Sequence, residues 1–153
     1  MQLLPQTIGC TIVSTRILHA PVHLAYRAFE DPIHLSNWWG PHGFTNTFNT
    51  FDLRVGGKWS LVMHGPDGAN YNNESVFLMV EKPHRVAWYR LTNPLFHMLL
   101  SFDTMPNNTT RFTFHMIFET AEACEAIRHY VIDKNEENFD RLEMELKKMI
   151  NPI

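Results

Sequence analysis

The sequence has few cysteines and no long apolar run, the features that mark disulfide-rich and transmembrane proteins. Its 153 residues include two cysteines, Cys10 and Cys124, which stand far apart and form no CxxC pair. Cysteine this sparse is typical of two buried, reduced thiols, so a disulfide framework is not expected. No apolar run approaches the roughly 18 residues needed to span a bilayer, so a transmembrane protein is not expected either.

A strong excess of charge of one sign is also missing. Lysine and arginine together number 13 and aspartate and glutamate 16, which gives a formal net charge of -3. Because this balance offers no basic face, we expect neither nucleic acid nor a membrane among the partners. The first residues lack a basic stretch followed by a long apolar run, which indicates a cytoplasmic protein without a secretory signal.

Signatures of catalysis and metal binding are absent as well. The nine histidines form neither an HxH nor an HExxH pattern, and there is no Gly-x-Ser-x-Gly elbow. We therefore expect no metal and no cofactor, and we assign no catalytic residue. Asp52, Glu74, Asp103 and His115 fall within predicted strands, where a desolvated group could act as acid or base. Ordinary bonding, such as an Asp52–Arg54 pair, explains them better.

What the sequence does have is apolar content. Hydrophobic residues make up 44% of the chain and charged residues 19%, which is typical of a compact globule and not of a disordered chain. The length suits one domain with a sizeable core, so residues 1–153 are interpreted as a single domain.

The first third of the chain predicts a strand followed by two short helices. Residues 8–19 are rich in β-branched types, which favour a strand. Pro21 suits the start of a helix over 22–30, where apolar residues recur at helical spacing. Asp31 is a suitable cap for a second helix that runs to Trp39.

Residues 45–118 have almost wholly the pattern of strands joined by short turns, which favours antiparallel neighbours. Gly56-Gly57 indicates a two-residue turn with positive φ at both positions, and Gly65-Pro-Asp-Gly68 a second turn. Alternation along the strands places Phe77 and Met79 on one face. The predicted strands are 45–55, 58–64, 74–81, 85–91, 98–103 and 110–118.

After Thr120 the hydrophobic period becomes helical. One helix is predicted to about residue 132 and a longer one over 134–149, because Asp133 and Glu136 have capping-box spacing. The apolar stripe of the longer helix is Phe139, Leu142, Leu146 and Met149. Its opposite, polar face is Glu137, Asp140, Arg141, Glu145, Lys147 and Lys148.

The predicted fold class follows from this order of elements. A single-layer antiparallel sheet must cover its apolar face, and the C-terminal helix is the element long enough to do so. We therefore expect an α+β fold in which a curved antiparallel sheet of about six to seven strands wraps around a long C-terminal helix.

Several motifs then resemble one family in their order and spacing. They are Asp31-Pro32, Trp38-Trp39-Gly40-Pro41, Asp52-Leu-Arg-Val-Gly-Gly57, Val62-Met-His-Gly-Pro-Asp-Gly68 and Pro83-His-Arg-Val86. Together they resemble the bacterial homologues of the heat-shock chaperone ATPase activator, within the START and polyketide-cyclase superfamily. The resemblance covers about residues 16–146. It implies a helix-grip fold with a cavity in which superfamily members bind lipids, polyketides or other apolar ligands.

Three functions remain open. The first is binding of a small apolar ligand, a lipid, polyketide or aromatic molecule, by a monomer or dimer. The second is assistance to a chaperone ATPase, as the family name implies. The third is a cyclase-like or hydrolase-like reaction in the same cavity.

Candidate ligand contacts are the large apolar side chains and two polar ones. Core packing explains most of the apolar set too, and Trp38-Trp39 suits either a lid or packing under the sheet edge. Asp52 and His115 are the polar candidates that would orient a ligand. The apolar candidates are Trp38, Trp39, Trp59, Met63, Phe77, Trp88, Phe112, Phe114, Phe139 and Leu142.

Overall fold

A seven-stranded antiparallel sheet and a long C-terminal helix dominate the structure, a computed structural model that describes residues 10–151. The helices are α1 (Val22–Glu30), α2 (Pro32–Trp38) and α3 (Ala121–Ile150). The strands are β1 (Cys10–Leu18), β2 (Thr45–Phe51), β3 (Lys58–His64), β4 (Asn70–Glu81), β5 (Arg85–Arg90), β6 (His97–Met105) and β7 (Thr109–Phe118). The predicted α+β helix-grip architecture is confirmed. No helix in residues 10–151 has both the length and the apolar character needed to cross a membrane.

The strand order is β1-β7-β6-β5-β4-β3-β2. Strands β2 to β7 follow one another as a meander, whereas β1 pairs with β7 at the opposite edge. One face of the sheet packs against the helices, since the ring of Phe139 on α3 lies 4.8 Å from Phe114 and 5.5 Å from Phe112 on β7. We call this the inner face.

Helix α2 begins and ends where its sequence dictates. The Asp31 carboxylate accepts a hydrogen bond from the Ile33 N–H at 2.9 Å, as the predicted cap requires. The Trp38 indole N–H donates to the carbonyl of Ala28 at 2.9 Å, which fastens α2 to the end of α1. The two short helices therefore form one buried corner beside the sheet.

The predicted break near residue 133 is wrong, because α3 is continuous from Ala121 to Ile150. Its cap is Thr120, whose hydroxyl accepts from the Ala123 N–H at 3.2 Å. No glycine or proline interrupts residues 121–150, and Asp133 and Glu136 are tolerated inside a helix as well as at its start.

The β2–β3 connection also differs from the prediction. Strand β2 ends at Phe51, and only Gly56 of the glycine pair has a positive φ, of 84°. Gly57 is required for another reason, since a Cβ there would lie 2.0 Å from the Asp52 carbonyl oxygen. The second turn is as predicted, with the Gly68 N–H donating to the Gly65 carbonyl at 3.1 Å.

The predicted pairing of Phe77 with Met79 on one face is wrong because of a register shift between them. Phe77 stands opposite Trp88, whereas Met79 stands opposite Ala87, the residue directly before Trp88 on β5. A β-bulge inserts one residue and so reverses the alternation that follows.

The two cysteines correct a further expectation. Cys10, at the start of β1, and Cys124, in the first turn of α3, form a disulfide with a Cα–Cα distance of 5.9 Å. Their separation of 114 residues gave no indication that β1 and α3 bring them together. The prediction of two reduced thiols is wrong for this structure.

Candidate functional site

Most of the predicted ligand contacts pack against one another. Ring centroids are 4.9 Å apart for Trp39 and Trp59, and 5.3 Å apart for Trp59 and Trp88. Such contact distances leave no room for a ligand between these rings. The buried members of this packed set are Trp38, Trp59, Phe77, Trp88, Phe112, Phe114, Phe139 and Leu142.

The Trp39 side chain is packed inside this aromatic core. Its ring also lies 5.5 Å from Trp38, 5.8 Å from Trp88 and 5.7 Å from Phe114. A residue held by this many rings cannot swing as a lid without breaking the core. Of the two possibilities that the sequence left open for Trp39, the structure has the packed one.

Space remains at the other end of the inner face, as an open cleft of about 280 Å³ between the sheet and α3. Of the residues predicted as ligand contacts, Met63 lines it. Its lining among residues 10–151 is Pro41, Phe44, Met63, Tyr71, Asn73, Arg90, Tyr130 and Lys134. We call this space the cleft.

Strand register brings the sheet residues of the cleft together. Met63 stands opposite Tyr71 on neighbouring strands β3 and β4. Ser75 stands opposite Arg90 on β4 and β5, and Asn73 lies two residues before Ser75. Because side chains opposite each other and two residues apart share a face, all of these point to the inner side.

Helix α3 is fixed in rotation by two buried amides. Asn138 donates to the Trp38 carbonyl at 2.7 Å, and Asn135 donates to the Ser14 hydroxyl at 3.1 Å. Tyr130 and Lys134 precede Asn138 by eight and four residues, and so they lie along the same face of the helix. This rotation places both side chains over the cleft.

The guanidinium of Arg141 fixes the wall of the cleft that Pro41 and Phe44 form. It donates to the carbonyl oxygens of Trp39, Gly40 and Pro41 through Nη1 and to those of Asn37 and Phe44 through Nη2, over 2.9 to 3.1 Å. Burial lowers the pKa of Arg141. The segment between α2 and β2, which carries Pro41 and Phe44, is thereby attached to α3.

Arg90 is the partly buried cation of the cleft. Its Nε donates to the Thr92 carbonyl at 3.0 Å, its Nη2 to the Asn93 carbonyl at 3.2 Å, and its Nη1 to the Asn73 side-chain oxygen. The guanidinium also lies 5.8 Å from the centre of the Phe96 ring. Burial lowers the pKa of Arg90 to about 10.

The two polar candidates from the sequence lie elsewhere. His115 follows Phe114 on β7 and stands opposite Val13 and Leu99, which puts it on the outer face. Asp52 lies in the β2–β3 loop, where its carboxylate accepts from Arg54 Nε at 2.8 Å. Their predicted position in the cavity is wrong, His115 because of strand parity and Asp52 because β2 ends before it.

Sequence reasoning missed Arg90, Asn73 and the helix residues Tyr130 and Lys134. One signal was available, since Arg90 lies two residues after Trp88 in a predicted strand and so shares its face. The helix residues carried no such signal, because one continuous α3 was not predicted.

Another cavity, of about 370 Å³, lies between the β5–β6 loop and the start of α3. Its described wall includes His97, whose Nδ1 is buried without a hydrogen-bond partner among residues 10–151. Burial disfavours the charged imidazole and lowers the pKa of His97. No cationic side chain lines its described part, and so we favour the cleft as the functional site.

A buried carboxylate joins α2 to α3 beside a third cavity, of about 230 Å³. Glu145 accepts from the Asn37 amide at 3.2 Å and lies 2.8 Å from His34 Nδ1. Both partners belong to α2, and so the arrangement holds the helices together.

Comparison with known proteins identifies the family. Residues 19–147 match the family model described as "Activator of Hsp90 ATPase homolog 1-like protein". No curated protein matches the sequence.

Solved structures share the fold. A protein of Nitrosomonas europaea is similar with a TM-score of 0.82 and 22% identity, covering 91% of this chain and 95% of that one. A protein of Mycobacterium smegmatis has a TM-score of 0.81 and 25% identity, with 95% and 99% covered. The AHSA1 protein of Silicibacter pomeroyi has a TM-score of 0.70 and 20% identity, with 90% and 98% covered. The family match and the shared helix-grip fold agree, and the chain belongs to the activator of Hsp90 ATPase homolog 1-like family.

Proposed function

We propose that this protein binds a small, largely apolar molecule in the cleft between the inner face and α3. The observation that carries the proposal is the cleft itself, an open space beside an otherwise packed core. Apolar side chains with a few convergent polar groups are typical of small-molecule sites. Binding would draw on apolar area removed from water, at about 25 cal/mol per Å².

The lining favours binding over catalysis. Phe44, Met63, Tyr71 and Tyr130 provide apolar and aromatic surface, and within residues 10–151 the cleft is lined by no carboxylate and no histidine. An acid–base mechanism would need such a group within hydrogen-bonding reach of the ligand. The cyclase-like or hydrolase-like alternative therefore has no specific support.

A neutral fluorescent probe, N-phenyl-1-naphthylamine, tests the proposal. Its emission should rise on binding to the wild-type protein, and amide NMR shifts should change around Met63, Tyr71 and Tyr130. Met63→Trp should fill the cleft and abolish binding, whereas Met144→Trp, at a position 60% exposed on α3, should not. Unchanged binding by a folded Met63→Trp variant, or no binding by the wild type, would reject the proposal.

A second candidate, assistance to a chaperone ATPase, rests on the family description and on the edge strand β1. Val13 is 55% and Ile17 40% exposed on the outer face of β1, an apolar pair that a partner could cover. The wild type should then raise the ATPase rate of Hsp90, and a Val13→Ser/Ile17→Ser variant should do so less. No increase with the wild type would eliminate this candidate.

A further inference from the structure

We propose that the ligand of the cleft carries an anionic group, a carboxylate or phosphate, that binds Arg90 while its apolar body lies against Phe44, Met63 and Tyr71. This inference rests on the proposed function and specifies its ligand class. It is carried by the charge of the lining, by the unused donors of Arg90 and by the arrangement of the apolar walls.

The described lining of the cleft has charge of one sign. Its ionisable cations are Arg90, on β5, and Lys134, on α3, and no aspartate or glutamate lies among the lining residues of 10–151. Lys134 is partly neutralised, since its Nζ lies 3.3 Å from the Glu137 carboxylate. Arg90 has no carboxylate within 4.0 Å among the described residues and is thus the principal cation.

The terminal nitrogens of Arg90 have fewer acceptors than those of Arg141. A guanidinium has five N–H donors, four of them on its two terminal nitrogens, and at Arg141 these four donors face five carbonyl oxygens. Arg90 makes one bond from each of its three nitrogens, all to neutral acceptors. Each of its terminal nitrogens therefore keeps one N–H free among the described residues, and a carboxylate or phosphate accepts such a pair of donors well.

A partly buried cation without a carboxylate partner is stabilised when an anion binds it. Burial lowers the pKa of Arg90 to about 10, which still leaves the group charged at neutral pH. A bound anion would supply the missing charge and the missing acceptors together. Arg90 therefore has the properties of a ligand contact and not of a structural ion pair.

The apolar part of the ligand has a defined place. The rings of Phe44 and Tyr71 lie 6.0 Å apart, tilted by 35°, and Met63 stands opposite Tyr71. On the helix side, Lys134 Nζ lies 5.5 Å from the centre of the Tyr130 ring. The ligand is thus a compact amphipathic acid, since about 280 Å³ suits a small molecule.

Two dyes that differ by one anionic group test this inference. The sulfonated dye 8-anilinonaphthalene-1-sulfonate should bind the wild type about tenfold more tightly than N-phenyl-1-naphthylamine, which lacks the sulfonate. Arg90→Met should remove this preference and leave the neutral dye unaffected. Arg85→Met is the matched control, because Arg85 lies on the same strand and pairs with Asp103 at 3.0 Å, away from the cleft. It should leave both affinities unchanged.

The two anion sources are separated by competition against the sulfonated dye. Stronger displacement by 1-naphthoate than by 1-naphthyl phosphate would assign a carboxylate ligand, and the reverse order would assign a phosphate. Neutral 1-naphthamide should displace the dye less than either anion. Displacement by 1-naphthamide that is as strong as by an anion would contradict the inference. Equal binding of both dyes by the wild type would overturn the anionic ligand but leave the proposed function intact. Binding of neither dye would overturn both.

A variant that keeps Arg90 provides a test that does not depend on the folding of Arg90→Met. If Arg90→Met does not fold, Lys134→Met, on the partly exposed rim, should weaken the sulfonated dye and not the neutral one. Equal effects of Lys134→Met on the two dyes would count against an anionic ligand.

Discussion

Arg141 Nη1 lies 3.0 Å from the main-chain carbonyl oxygen of Trp39, and through this contact α3 holds the chain where α2 ends. The same nitrogen donates to the next two carbonyls, Gly40 and Pro41. The carbonyl end of a helix carries partial negative charge, which a cation stabilises. Arg141 therefore fixes both Trp39 and one wall of the cleft.

Replacing Arg141 by lysine should destabilise the protein by about 3 kcal/mol, because an ammonium cannot satisfy carbonyls that a planar guanidinium bridges. The free energy of unfolding in urea measures the loss. Arg111→Lys is the control, since the Arg111 side chain is half exposed and lies 3.9 Å from Asp103; it should change stability by less than about 0.5 kcal/mol. Equal effects of the two variants would show that the Arg141 contacts contribute little.

The sequence could not predict the role of Arg141 or Glu145. The helical period correctly predicts the apolar stripe of α3 and assigns both residues to the opposite, polar face. The structure packs α2 against part of that face, where Arg141 meets main-chain carbonyls and Glu145 meets two α2 side chains. Periodicity separates apolar from polar positions, but it does not show which polar positions a neighbouring helix covers.

The adjacent glycines Gly56 and Gly57 provide a matched pair of alanine variants. Gly57→Ala should cost more than 2 kcal/mol, because the new Cβ would lie 2.0 Å from the Asp52 carbonyl oxygen and the backbone must move. Gly56→Ala, with a φ of 84° and nothing within 4 Å of its Cβ, should cost about 1 kcal/mol. Thermal unfolding of both variants measures the difference. The reverse ranking would contradict the close approach at Gly57.

Tyr26 should make the protein sensitive to alkali. Its hydroxyl is buried with no hydrogen-bond partner in residues 10–151, and burial, reinforced by the charge of Glu30, raises the pKa of Tyr26 to about 12. In the unfolded chain a tyrosine ionises near pH 10, so unfolding releases its proton between about pH 10 and 12. Stability should therefore fall as the pH rises through this window.

Tyr26→Phe should remove this loss and raise stability at neutral pH by up to about 1 kcal/mol, because an unsatisfied hydroxyl leaves the core. The urea midpoint of the wild type and the variant should diverge above pH 10. Tyr130→Phe, at a position 64% exposed, is the control and should show no such divergence. Parallel curves for wild type and Tyr26→Phe would contradict the prediction.

The Cys10–Cys124 bond should contribute about 4 to 5 kcal/mol, because it closes a long loop in the unfolded chain. Adding dithiothreitol should lower the melting temperature of the wild type towards that of the Cys10→Ser/Cys124→Ser variant. The variant itself should not respond to the reductant. An equal melting temperature with and without reductant, once mass spectrometry confirms reduction, would show that the bond is energetically neutral.

The site was harder to predict from sequence than the fold. Turn residues and strand alternation predicted all six strands that follow the first two helices, and the apolar stripe predicted the covering helix. The cleft depends on long-range register, which places Met63, Tyr71 and Arg90 together from three strands. Aromatic content pointed to Trp59 and Phe114, yet those rings fill the core, because an aromatic side chain in a strand looks the same whether it contacts a ligand or another ring.

The packed aromatic core also has an optical consequence. All four tryptophans of the chain, Trp38, Trp39, Trp59 and Trp88, belong to it, and each ring centroid lies within 6 Å of at least one other. Indoles this close exchange excitation, so their emission and near-ultraviolet circular dichroism arise from a single coupled chromophore. Any event that shifts Trp39, including a movement of the wall held by Arg141, should change the spectrum of all four.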